Sequence, residues 1–181
     1  MINHEHKYIF IHIPKTGGNS IKRSLAGPWP NYESRHKTIN HYEEYLDYFK
    51  FSFVRNPYDR IYSWVYSHIE PWQAFHNRPT KKEFNNYVKD YIDKDWTFSA
   101  PQYDRIKDKM DFVGKFENLQ SDFNIVCDKI GIDKTKLPWE DKGLGLKSYF
   151  DFYEKETIQL INERHEIDFE EFGYGERNDE R

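Results

Sequence analysis

Tyr8-Ile9-Phe10-Ile11-His12-Ile13-Pro14-Lys15-Thr16-Gly17-Gly18-Asn19-Ser20-Ile21-Lys22-Arg23-Ser24-Leu25 is the stretch that decides the fold. Its first six residues form a short, nearly continuous apolar run rich in β-branched side chains. That pattern suits a strand buried on both faces of a parallel sheet. Pro14 to Gly18 break the run, and Asn19 to Leu25 can form a short helix. Two glycines let the backbone curl so that successive N–H groups share one concavity, and the helix adds its N-terminal N–H groups and positive dipole end. Lys15 contributes a full charge, Thr16 and Ser20 contribute hydroxyls. The result is an anion cradle at the C-terminal edge of a parallel strand. An ordinary Gly-Gly turn would use the same residues.

The loop is not the nucleotide-binding G-x-x-x-x-G-K-[ST] loop, where Lys follows the last glycine and Ser or Thr meets Mg²⁺. Lys15 precedes both glycines, and Asn19 stands in the slot before Ser20.

A second corner repeats the geometry. Tyr48-Phe49-Lys50-Phe51-Ser52-Phe53-Val54-Arg55 reads as a strand running straight into a helix, with Asn56 at the N-cap, Pro57 at the first helical position and Asp59 in the first turn. Tyr58, Ile61, Tyr62 and Val65 form a buried stripe. Arg55 leaves the strand at the same sheet edge, where its guanidinium can fork onto a phosphate. Ser63 lies off the stripe, two turns into the helix. A pairing of Arg55 with a carboxylate such as Asp59 is the plain alternative. Two anion-competent corners together suit a ligand with two separated phosphate-like groups.

Further along, Thr80 can cap a helix with Phe84, Tyr87, Val88, Tyr91 and Ile92 on one face; Phe112 to Phe116 reads as a third strand. Leu119–Ile130 reads as a helix stopped by Gly131, and a last helix is predicted over about Tyr153–His165. Strands alternating with helices imply an α/β class, a three-layer P-loop-like domain whose short central parallel sheet is flanked by helices. One domain is expected over 1–181, with 173–181 a frayed tail.

Composition limits the alternatives. The 181 residues carry 27 Lys+Arg against 31 Asp+Glu, net −4, and 18% are aromatic. Such a chain has no global attraction to nucleic acid or to an anionic membrane, so any anion must be held locally. Cys127 is the single cysteine, which excludes disulfides and Cys-based metal sites and suits a small buried residue. The histidines show no metal-ligand spacing. No run approaches the ~20 apolar residues of a membrane span, and no signal-peptide core is present, so a cytoplasmic protein is expected.

Pro14 to Ser20 resembles the 5′-phosphosulfate loop of sulfotransferases that use 3′-phosphoadenosine 5′-phosphosulfate. Phe53-Val54-Arg55-Asn56-Pro57-Tyr58-Asp59-Arg60 through Ser63 resembles their 3′-phosphate motif. The likeness is to the carbohydrate branch, which includes heparan 2-O- and chondroitin sulfotransferases and small bacterial relatives. Phe112 to Leu119 and Asp168 to Tyr174 extend it over most of the chain.

The resemblance implies transfer of a sulfonate to an acceptor hydroxyl, on a carbohydrate, by in-line displacement without a metal, leaving adenosine 3′,5′-bisphosphate. By the same likeness, Lys15 would contact the sulfonate and bridging oxygen, Thr16, Gly17, Gly18, Asn19 and Ser20 would belong to the 5′-phosphate loop, and Arg55 and Ser63 would hold the 3′-phosphate. His36 would be the general base, with His41, Glu43 and Glu44 as rivals. Gln102 falls in a segment near the acceptor pocket. The competing functions are a P-loop nucleotide kinase and a silent relative that binds nucleotide or glycan without turnover. Oligomeric state is not encoded in any feature of the sequence.

Overall fold

The structure is a computed structural model and describes residues 1–26, 37–68, 79–94, 99–138 and 152–176. They form two compact units, residues 1–55 with 102–142 and residues 56–101 with 143–181.

The first unit holds a four-stranded sheet in the order β1 (Ile2–Asn3), β2 (Tyr8–Ile11), β3 (Phe49–Val54) and β4 (Phe112–Lys115). β2, β3 and β4 are parallel, with Ile11 opposite Ser52 and Val54 opposite Lys115; only the two-residue β1 pairs antiparallel. Because the side-chain period is 2, Tyr8, Phe10, Phe51 and Phe53 share one face. Helices α1 (Gly18–Ala26) and α5 (Leu119–Ile130) bury that face with Ile21, Phe123, Val126, Cys127 and Ile130. The opposite face is buried too, at Ile9, Ile11, Ser52 and Val54, which is why β2 reads as an unbroken apolar run. The class read from the sequence, a mixed α/β fold with a mostly parallel sheet flanked by helices, is the one observed.

Gly131 closes α5 in the left-handed region at φ 70°, its N–H donating to the Cys127 carbonyl. The strand run breaks earlier than its apolar residues suggest: β2 stops at Ile11, and Phe116 leaves β4 for a 3-10 turn, Phe116–Asn118. A short helix, α4 (Tyr103–Ile106), and a 3-10 turn at Ile39–Tyr42 complete the described part of this unit.

The second unit packs α2 (Pro57–His68), α3 (Lys81–Asp93) and α6 (Lys155–Phe172) around Tyr58, Ile61, Trp64, Phe84, Val88, Tyr153, Ile161 and Phe169. Asn56 caps α2 as its sequence position implies, its Oδ1 accepting from Tyr58 N–H at 3.0 Å. Thr80 and Glu83 form a reciprocal capping box at the start of α3. The last helix runs to Phe172 rather than stopping near His165. It bends instead at His165, whose φ of −115° and ψ of 18° leave the helical region. Gly173 then ends it, and Tyr174 N–H bonds the Phe169 carbonyl at 3.0 Å, so the start of the expected tail is tied to the helix.

Candidate anion-binding corner

The turn after β2 is tightly wound. Lys15 at φ 69° and Gly17 at φ 79° both occupy the left-handed region. Only glycine enters it freely, so Lys15 holds strain of about 1 kcal/mol or more, the kind of outlier that clusters at ligand sites. Thr16 is fully buried and donates its hydroxyl to the Ile13 carbonyl at 2.8 Å. That hydroxyl was expected to face the ligand; it is spent in closing the turn.

The glycines answer to packing from below. A Cβ at Gly17 would sit 2.7 Å from Leu119 Cδ2, and one at Gly18 only 1.9 Å from His12 Cδ2. The loop is therefore pressed onto the imidazole of His12 and the first residue of α5. Intrahelical bonding in α1 begins with Ile21 N–H, donating to the Gly17 carbonyl at 3.2 Å. The aligned peptide dipoles of the helix make this end electropositive. Asn19 is exposed and Ser20 buried.

Arg55 joins this turn from the next strand. Its Nη1 donates to the Lys15 carbonyl at 3.3 Å, and its guanidinium carbon lies 4.1 Å from the centre of the Phe116 ring. A stacked guanidinium keeps its planar fork in one orientation. The backbone of Arg55 is held as well: its N–H donates to Gln102 Oε1 at 2.9 Å, and its carbonyl accepts from Gln102 Nε2 at 2.8 Å. The edge of the sheet thus gathers an ammonium-bearing turn, a guanidinium and a helix N-terminus. That donor set fits a ligand with more than one anionic group.

The segment after β4 is the support that the sequence did not reveal. Gly114 lets β4 approach Phe53, where a Cβ would meet the ring at 2.5 Å; Phe116 carries Arg55; Leu119 abuts Gly17. Asp122 fixes the end of β4 by accepting from Lys115 N–H at 2.7 Å.

The profile of the sulfotransferase family matches residues 1–175, nearly the whole chain. The chain belongs to the sulfotransferase family. It is also similar to an uncharacterized protein of Archaeoglobus fulgidus, 29% identical over 92 residues, a stretch covering 47% of this chain and 69% of that one. No solved structure matches. Membership implies sulfonyl transfer to a hydroxyl-bearing acceptor.

Within this sulfotransferase the expected site residues separate into groups. Lys15, Thr16, Gly17, Gly18, Asn19, Ser20 and Arg55 share the first unit, at the turn after β2 and the end of β3. Ser63 is half-buried on α2 of the second unit. His41 is exposed in the 3-10 turn, its Nδ1 3.3 Å from Thr38 Oγ1. His36 lies outside the described residues. Glu43, a rival base, is engaged by Lys109 at 2.6 Å, which holds its carboxyl below the usual range. Among the described residues no group of three or more His, Cys, Asp or Glu could hold a metal ion, and no helix is long and apolar enough to cross a membrane.

Proposed function

We propose that the protein moves the sulfonate of 3′-phosphoadenosine 5′-phosphosulfate to a hydroxyl of a carbohydrate. The observation that carries the reading is the joining of two strand–helix corners: Arg55, from the second, is hydrogen-bonded to the Lys15 carbonyl of the first. A ligand with phosphates on both the 3′ and the 5′ positions of its ribose matches two cationic corners better than one with a single phosphate tail.

The donor supplies a sulfonate already activated by a phosphate leaving group. The turn at Gly17 and Gly18 and the N-terminal N–H groups of α1 hold the 5′-phosphate, with Lys15 Nζ offsetting the charge that grows on the bridging oxygen. This is stabilisation aimed at the transition state, and it needs no covalent bond to the protein. The Arg55 fork receives the 3′-phosphate. A ring nitrogen of His36 takes the proton from the acceptor hydroxyl; an imidazole titrates close enough to neutrality for that task. His41 is the other candidate base.

Calorimetric titration tests the reading. Adenosine 3′,5′-bisphosphate should bind without Mg²⁺, more tightly than adenosine 5′-phosphate, and Arg55→Lys should remove most of that difference by losing the planar fork. A preference for ATP with Mg²⁺ over the bisphosphate would instead support a kinase.

A further inference from the structure

The central strand β3 ends at Val54, opposite Lys115, the last residue of β4. Arg55, one residue beyond, leaves the ladder with a backbone donor and acceptor still to satisfy. Gln102 takes both. Its fully buried side-chain amide accepts from Arg55 N–H and donates to the Arg55 carbonyl, as a neighbouring strand's peptide would. A neutral amide offers a matched donor and acceptor in this way, which an ionised carboxylate, an acceptor only, does not.

The clamp stands on a fixed base. The Gln102 carbonyl accepts from Arg105 N–H at 3.1 Å, opening α4, in which Arg105 and Ile106 are buried.

We infer that Gln102 is a positioning residue for Arg55: by extending the strand ladder one residue past Val54, it sets the direction in which the Arg55 guanidinium leaves the sheet, and so determines selectivity for the 3′-phosphate. This rests on the proposed donor and departs from the sequence expectation of an acceptor contact at Gln102. Arg55 then has its backbone fixed by Gln102 and its guanidinium by the Lys15 carbonyl and Phe116. Preorganisation of this kind improves affinity by removing the ordering cost at binding. The phosphate it serves is the one that separates the bisphosphate from adenosine 5′-phosphate.

The test is the ratio of affinities for adenosine 3′,5′-bisphosphate and adenosine 5′-phosphate in the wild type, Gln102→Ala and Gln102→Glu. Loss of two backbone hydrogen bonds should cut the ratio by about tenfold or more in Gln102→Ala, with little change for adenosine 5′-phosphate. Gln102→Glu supplies an internal check. Its ionised carboxylate can accept from Arg55 N–H but faces the Arg55 carbonyl with a second acceptor; protonation restores the missing donor. Its selectivity should therefore recover relative to wild type as the pH is lowered toward about 5, whereas Gln102→Ala should not recover. If Gln102→Ala is too unstable to assay, the pH response of Gln102→Glu alone decides. A wild type that discriminates, with variants that discriminate equally well or lose both ligands in parallel at every pH, overturns the role of Gln102 and leaves the donor assignment standing. A wild type with no preference for the bisphosphate overturns the donor assignment itself.

Discussion

Replacing Gly18 by Ala probes how firmly the anion turn is pressed onto the strand beneath it. The backbone at this position lies outside the left-handed region, and helix propensity alone favours Ala by roughly 1 kcal/mol. Sterics oppose it. The new Cβ would lie 1.9 Å from His12 Cδ2 and 2.2 Å from Nε2. Carbon atoms in contact prefer about 3.5–4.0 Å, so the overlap is more than 1 Å and cannot be absorbed by small shifts. Either the imidazole swings out of place or the turn lifts from the sheet. Overpacking of this size costs about 1–3 kcal/mol, roughly 5- to 150-fold in an equilibrium constant. Titration with adenosine 3′,5′-bisphosphate, alongside thermal melting, measures it. His12→Ala removes the obstructing ring, so the double variant should recover most of what Gly18→Ala loses, a coupling of about 1–3 kcal/mol. Gly18→Ala binding and melting like the wild type, or two penalties that simply add, would refute the packing argument. Gly17→Ala should behave differently: its φ of 79° is strained for any side chain, so Leu119→Ala should rescue it only in part.

Lys15→Ala should lower turnover about 100- to 1,000-fold while preserving the fold by circular dichroism, as expected for a charge acting at the transition state; an unchanged rate contradicts that role. His36→Ala should abolish most activity with bisphosphate affinity retained, and full activity there with loss in His41→Ala would move the base to His41. In the second unit, burial pushes the His165 imidazole below its ordinary value of 6.5, opposed by Asp168 at 3.2 Å and reinforced by Arg60 and Arg164. The folded state then binds fewer protons than the unfolded chain below about pH 6.5, so stability is full above that and falls as the pH drops. The melting temperature of the wild type should fall more steeply between about pH 7 and pH 5 than that of His165→Asn; equal slopes contradict the assignment.

Local signals carried much of this fold. The apolar runs of β2 and β3 and the Asn56-Pro57 start of α2 are explicit in the chain, and Leu119–Ile130 was legible to the residue because Gly131 closes it in the left-handed region, which only glycine enters freely. The last helix was read short for a physical reason. His165 and Asp168 are fully buried polar residues that interrupt the apolar stripe, and the backbone leaves the helical region where the first of them sits. β1 has two residues, too few for a period. The two corners of the candidate site were visible because each is a contiguous motif with its own turn chemistry. The shell around them was not. Gln102 and Arg55 are 47 positions apart, and Phe116 meets Arg55, and Leu119 meets Gly17, only once β4 has paired with β3. Composition, periodicity and spacing are silent about such pairings.

Transfer of radiolabelled sulfonate from 3′-phosphoadenosine 5′-phosphosulfate to a panel of glycans and simple alcohols, with Lys15→Ala in parallel, bears most directly on the central claim. Label should appear on a carbohydrate hydroxyl in the wild type and fall by about 100-fold or more in the variant. Tight bisphosphate binding with no transfer to any member of the panel, or transfer that is equal in the two proteins, would contradict it.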